Sequence, residues 1–214
     1  MTPTRTRAAL AAFTVLGIAA LAAPVSAETY LQTATAGNPS TGSYSIYGDG
    51  TNAGSNFIGA TFALSNTATI ADVGATFDGY ASGDPIFAAI VSVPSLAGVP
   101  AFAPSALAGN ALAETTFTPS AGDVSVALPV TLAAGTYAVV FGSGLFGATG
   151  TVGLADGNTT IGTPNIFASL TDSSFSSYGY DTGIRIYVDA PEPTTLALFC
   201  FAVAALGFTR RRAA

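Results

Sequence analysis

Thr136-Tyr137-Ala138-Val139-Val140-Phe141 decides the fold class: Tyr137, Val139 and Phe141 fall on one face of an extended chain and smaller residues on the other. Side chains that alternate with a period of two belong to a strand with one face against a core. Ile184-Arg185-Ile186-Tyr187-Val188 repeats the pattern, with the aliphatic residues inward and Arg185 and Tyr187 outward, and Val124-Ser125-Val126-Ala127-Leu128 alternates large with small. Working outward, further strand-like runs cover residues 43–47, 57–64, 67–77, 86–93, 113–118 and 147–154. Clusters such as Gly48-Asp49-Gly50 and Asp156-Gly157-Asn158 separate them, as turns require. About nine short strands with no long helical stripe between them predict an all-β fold, a single antiparallel β-sandwich of jelly-roll or immunoglobulin-like type.

One stretch breaks the rhythm. Residues 99–113 are rich in Ala and Pro and predict either a surface loop or one short helix, which Pro100 and Pro104 confine to residues 105–112. Glycine and proline together make up about 18% of residues 28–190, below the roughly 25–30% of low-complexity chains, and apolar residues are spread evenly, so this body folds. No internal repeat or linker divides it, and one domain is the simplest organisation.

The flanks have a different character. Arg5 and Arg7 precede an apolar run over residues 8–23, and Val25 and Ala27 supply small side chains ahead of Glu28. This pattern predicts a signal peptide over residues 1–27, cut by signal peptidase between Ala27 and Glu28. At the other end, Pro191-Glu192-Pro193 is followed by an uncharged run and then by Arg210, Arg211 and Arg212. Residues 193–209 as a helix span roughly 25 Å at about 1.5 Å per residue, the short end of a transmembrane helix. Pro193 suits a first helical turn, and the arginines belong on the cytoplasmic side.

That order of parts resembles the PEP-CTERM sorting domain of bacterial exported proteins. Pro191, Glu192 and Pro193 fall on the signature tripeptide, residues 194–209 on the hydrophobic helix, and Arg210, Arg211 and Arg212 on the basic end. The resemblance implies a sorting signal over residues 191–214, read by an exosortase-type cysteine transpeptidase that processes the chain near the tripeptide. It implies an inner-membrane hold through the C-terminal helix, then delivery to the cell surface or outside the cell, with exopolysaccharide as a partner by association.

The chemistry is defined by what is missing. The chain has no His, Trp or Lys, and its one cysteine, Cys200, lies in the tail, so triads, Schiff-base lysines, cysteine nucleophiles in the body and zinc sites of the usual ligands are all excluded. Eleven of the twelve acids lie within residues 28–190 against Arg185 alone, a formal charge of −10 that disfavours nucleic acid as a partner. Arg185 is expected to pair with a carboxylate on a neighbouring strand. Asp49 with Asn52, and Asp156 with Asn158, place paired oxygen-bearing side chains on Gly-containing turns and are candidate calcium ligands, although neither turn has EF-hand spacing and both suit ordinary β-turns. Tyr178, Tyr180 and Tyr187 suit either a sugar-stacking patch or the aromatic content of strands. The leading expectation is a noncatalytic surface or matrix protein, structural or adhesive. A carbohydrate- or calcium-binding module is the alternative. A carboxylate-only hydrolase, with Glu114 as the one glutamate inside the body beyond Glu28, is the remaining enzymatic option.

Overall fold

Alternation and turn chemistry produce twelve strands in a computed structural model that describes residues 28–36, 42–47, 57–169, 174–179 and 183–191. They are β1 (Thr29–Gln32), β2 (Ser43–Ile46), β3 (Phe57–Leu64), β4 (Ala68–Ala81), β5 (Ile86–Ser92), β6 (Ala111–Phe117), β7 (Gly122–Leu132), β8 (Gly135–Gly142), β9 (Val152–Ala155), β10 (Ile166–Ser169), β11 (Ser176–Gly179) and β12 (Ile186–Asp189). Every strand pairing is antiparallel. One sheet runs β1-β12-β4-β9-β2 with β7 also paired to β4; the other runs β11-β10-β3-β8-β5-β6. Glu28–Pro191 forms one compact unit.

The long strand β4 organises the first sheet. Phe77 is paired with both Gly122 of β7 and Leu154 of β9, so these two strands take opposite edges, and β9 continues the edge that β12 occupies at residues 72–75. The register with β7 slips between Ile70 and Asp72, and the phase of β4 changes with it: Ile70 faces the core, then Val73, Ala75 and Phe77 do. Pro129 of β7 lies exposed beside this slip, on an edge strand where a missing N–H costs no ladder bond.

The two sheets face each other across a core to which both contribute. Val73, Phe77, Leu154, Ile184, Ile186 and Val188 come from one side, and Ile58, Phe62, Ile90, Tyr137, Val139 and Phe141 from the other. Phe77, Phe117 and Phe141 meet edge-on at centroid distances of 5.9–6.3 Å, the favoured arrangement for aromatic rings. The expected inward positions of the β8 and β12 segments are therefore observed.

The second sheet departs from the half-buried expectation. β3, β5 and β8 are buried along nearly their whole length, whereas the edge strands β6 and β7 alternate. The cause is a second apolar layer on the outer face of this sheet, where Phe57, Phe87, Ala89, Val91, Val140 and Phe167 pack beneath Leu107, Ala148 and Phe175. The Ala- and Pro-rich segment supplies part of that lid: a 3₁₀ turn, Pro104–Ala106, leads into a one-turn helix, Leu107–Asn110, shorter than residues 105–112, because Leu112 already belongs to β6. Phe102 and Phe146 close the layer, Phe146 meeting Phe87 edge-on at 5.1 Å.

The chain changes sheet at almost every connection; among the described strands only β1–β2, β5–β6 and β10–β11 remain within one sheet. The turn between Leu132 and Gly135 carries the chain from one sheet to the other. Tyr137 secures that corner by donating its hydroxyl to the Ala133 carbonyl at 2.9 Å. The segments expected to form a signal peptide (residues 1–27) and a tail helix (residues 193–209), together with Asp49, Asn52 and Tyr180, lie outside the described residues. Among those described, no helix is long and apolar enough to cross a membrane.

Candidate functional site

The two ends of the described body come together in β1 and β12. Ile186, Tyr187, Val188 and Asp189 pair with Ala75, Gly74, Val73 and Asp72 of β4 on one edge, while β1 occupies the other with Thr29 opposite Asp189 and Leu31 opposite Val188. Beyond the strand, Ala190 donates its backbone N–H to the Glu28 carbonyl at 2.8 Å. Glu28 and Ala190, the two candidate boundaries of the body, are thus hydrogen-bonded neighbours, and Pro191 follows exposed. A polar cleft of about 370 Å³ lies alongside, lined by Glu28, Tyr30 and residues 63–69.

Thr33 fastens the inner end of this pairing. It is fully buried; its N–H donates to the Ile186 carbonyl at 3.0 Å, and its hydroxyl donates to the Ile184 carbonyl at 2.6 Å while accepting the Ile186 N–H at 2.8 Å. A threonine side chain here continues the ladder where the main chain turns away, giving the Ile186 N–H and the Ile184 carbonyl a partner. Nothing in the sequence distinguishes Thr33 from the many other threonines.

Arg185 finds the expected carboxylate on a neighbouring strand. Its Nη1 lies 2.9 Å from Asp123 Oδ1 on β7, and Asp123 also accepts a hydrogen bond from Thr76 of β4. The guanidinium stacks 4.2 Å above the Tyr187 ring, and Tyr187 covers Gly74, where any Cβ would collide with the phenol. Burial raises the Tyr187 pKa above the ordinary tyrosine value and the Asp123 charge adds to this, while Arg185 opposes it. This cluster joins three strands on the outer face of the first sheet. Tyr187 is accordingly a packing residue and offers no stacking platform for a sugar.

The turn after β9 holds the remaining described candidates. Asp156 donates its N–H to the Gly42 carbonyl at 3.2 Å, and its carboxylate lies against Gly42. Asn158 donates its N–H to the Gly183 carbonyl at 3.2 Å, and its carboxamide is buried with no hydrogen-bond partner among the described residues. Among the described residues, no group of three or more His, Cys, Asp or Glu side chains is assembled for a metal. Close by, Tyr44 and Tyr178 meet edge-on at 4.9 Å, and burial, Tyr178 and Asp156 together raise the Tyr44 pKa. Tyr178 and Tyr47 are exposed. Glu114 lies exposed on edge strand β6.

The all-β body ends on the paired strand β12, and a known sorting motif overlaps that end of the chain. It is the PEP-CTERM protein-sorting motif, whose family model matches residues 189–212 and so takes in the tripeptide Pro191-Glu192-Pro193 and the arginines 210–212. The motif marks a protein that is exported, processed by an exosortase-type enzyme and sorted to the cell envelope. No curated protein and no solved structure matches the chain.

Proposed function

We propose that this is a noncatalytic, structural or adhesive protein of the cell surface or extracellular matrix, delivered by its PEP-CTERM tail. Export begins with a signal peptide over residues 1–27 that signal peptidase removes after Ala27. The helix of residues 193–209 then holds the precursor in the inner membrane until processing near Pro191. The observation that carries the reading is the sorting motif running on from β12 without a linker, which presents the whole body as cargo. Support for a noncatalytic role comes from the residue inventory, which lacks His, Lys and any cysteine in the body. The frequent crossing between sheets favours a jelly-roll over an immunoglobulin-like body. Replacing Pro191, Glu192 and Pro193 by alanine should leave unprocessed precursor in the membrane fraction; normal processing and surface delivery would refute the sorting role.

A second reading, a calcium- or carbohydrate-binding module, is favoured by the Asn158 carboxamide, which has no partner among the described residues, and by the Tyr44–Tyr178 pair, half-buried at Tyr44 and exposed at Tyr178. A buried amide without partners is a place where an ion or water is expected. Calcium should then raise the melting temperature of the wild-type body and not that of Asp156→Asn; equal melting curves with and without calcium exclude the ion.

A further inference from the structure

Asp189, the first residue of the sorting motif, is also the last residue of β12, and its strand is paired on both edges, with β1 and with β4. Ala190 is held as well, through its N–H to Glu28. A segment whose backbone donors and acceptors are already used cannot lie as an extended strand in another protein's cleft, since that mode of binding needs a free edge. The sorting motif begins at Asp189, so the part of it on the N-terminal side of the tripeptide consists of residues the sheet and Glu28 already hold.

The two edges differ in how readily they open. β4 spans the sheet and buries Val73, Ala75 and Phe77 in the core, so releasing β12 from it disrupts the fold. β1 is four residues long, lies at the end of its sheet, and is exposed at Thr29 and half-buried at the next three positions. Its far end is fastened by Thr33 and by bonds from Thr35 to Thr159 and from Ile161 to Thr33. Opening therefore begins at Glu28, next to the tail.

We propose that β1 gates processing of the tail: the sorting enzyme engages the junction only when residues 28–32 have peeled from β12 and freed one edge of residues 186–190. This rests on the sorting role proposed above. Where opening is fast relative to cleavage, the processing rate follows the population of the open form. The strength of β1 docking then sets how quickly the precursor leaves the membrane.

The test is a pulse-chase of the full chain in cells that process the wild-type precursor. Leu31→Ala, which removes apolar packing at the centre of β1, should accelerate processing roughly tenfold. Val140→Ala, a destabilising change in the outer layer of the other sheet, serves as the control for general loosening and should process at the wild-type rate. Leu31→Cys with Val188→Cys, combined with Cys200→Ala, cross-links β1 to β12 outside the motif; the disulfide-bonded fraction should process at least tenfold more slowly than either single cysteine variant. Leu31→Ala processing no faster than Val140→Ala overturns the gate, as does a cross-linked fraction processed as fast as the single variants. If the disulfide does not form, the comparison of Leu31→Ala with Val140→Ala decides alone. The alanine replacement of Pro191, Glu192 and Pro193 separates the two proposals: it stays unprocessed if only the gate fails, whereas its normal processing removes the sorting role and the gate with it.

Discussion

Thr33→Val isolates the contribution of one buried hydroxyl. Valine has nearly the same shape, so no cavity is created, but the donor to the Ile184 carbonyl and the acceptor for the Ile186 N–H both vanish. Thr33 is fully buried and water does not replace them. Two hydrogen bonds at about 1 kcal/mol each, with roughly 1 kcal/mol more for leaving the Ile186 N–H unsatisfied, give a loss of about 3 kcal/mol. In urea unfolding of residues 28–191, with a slope of about 2 kcal/mol/M, the midpoint should fall by about 1.5 M with the slope unchanged. Thr33→Ser keeps both bonds and loses one methyl, and should cost about 1 kcal/mol. A valine variant within about 0.5 kcal/mol of wild type, or a serine variant less stable than the valine one, would show that the hydroxyl is not what holds β1 to β12.

Leu107→Ala should destabilise the body by about 2–4 kcal/mol by the same assay, as a core residue does, because Leu107 is fully buried over the second sheet; a value under about 1 kcal/mol would mean the outer layer is mere surface. Asp123→Ala should cost about 1–3 kcal/mol by removing the carboxylate that pairs with the half-buried Arg185 guanidinium, and in that background replacing Arg185 by methionine should cost less than it does in the wild type. Because the folded state raises the Tyr187 pKa, it holds the phenol proton more tightly than the unfolded chain does; the associated stability is present below the ordinary tyrosine pKa of about 10 and declines as the pH rises above it. Alkaline melting curves should show this decline, reduced in Tyr187→Phe, and absorbance titration should find one late-ionising tyrosine missing from that variant.

Much of the architecture is legible because strand signals are local. The segments around Val124, Tyr137 and Ile186 alternate, and all lie in strands with the expected faces inward. Three strands escaped, β1, β10 and β11: Thr-Tyr-Leu-Gln, Ile-Phe-Ala-Ser and Ser-Ser-Tyr-Gly show no alternation of large apolar with small or polar side chains. The strand over residues 147–154 is shortened to β9 because Leu145 and Ala148 turn back to cover the outer face. The partner of Arg185 could be anticipated as some carboxylate, since charge neutralisation needs no coordinates, but selecting Asp123 required knowing that β7 and β12 flank the same strand. Thr33 carries no local signal at all; its role depends on a partner more than 150 residues away.

The sequence by itself determined the class of fold, the charge and missing catalytic residues of the body, and the sorting tail, because each resides in side-chain chemistry or short-range periodicity. Only the tertiary structure decided that the central strands of one sheet are buried on both faces, that Tyr187 is packing, and that Glu28 and Ala190 are joined by a hydrogen bond. Those outcomes depend on which distant strands become neighbours, and period-two alternation specifies the face of a strand without naming its partner.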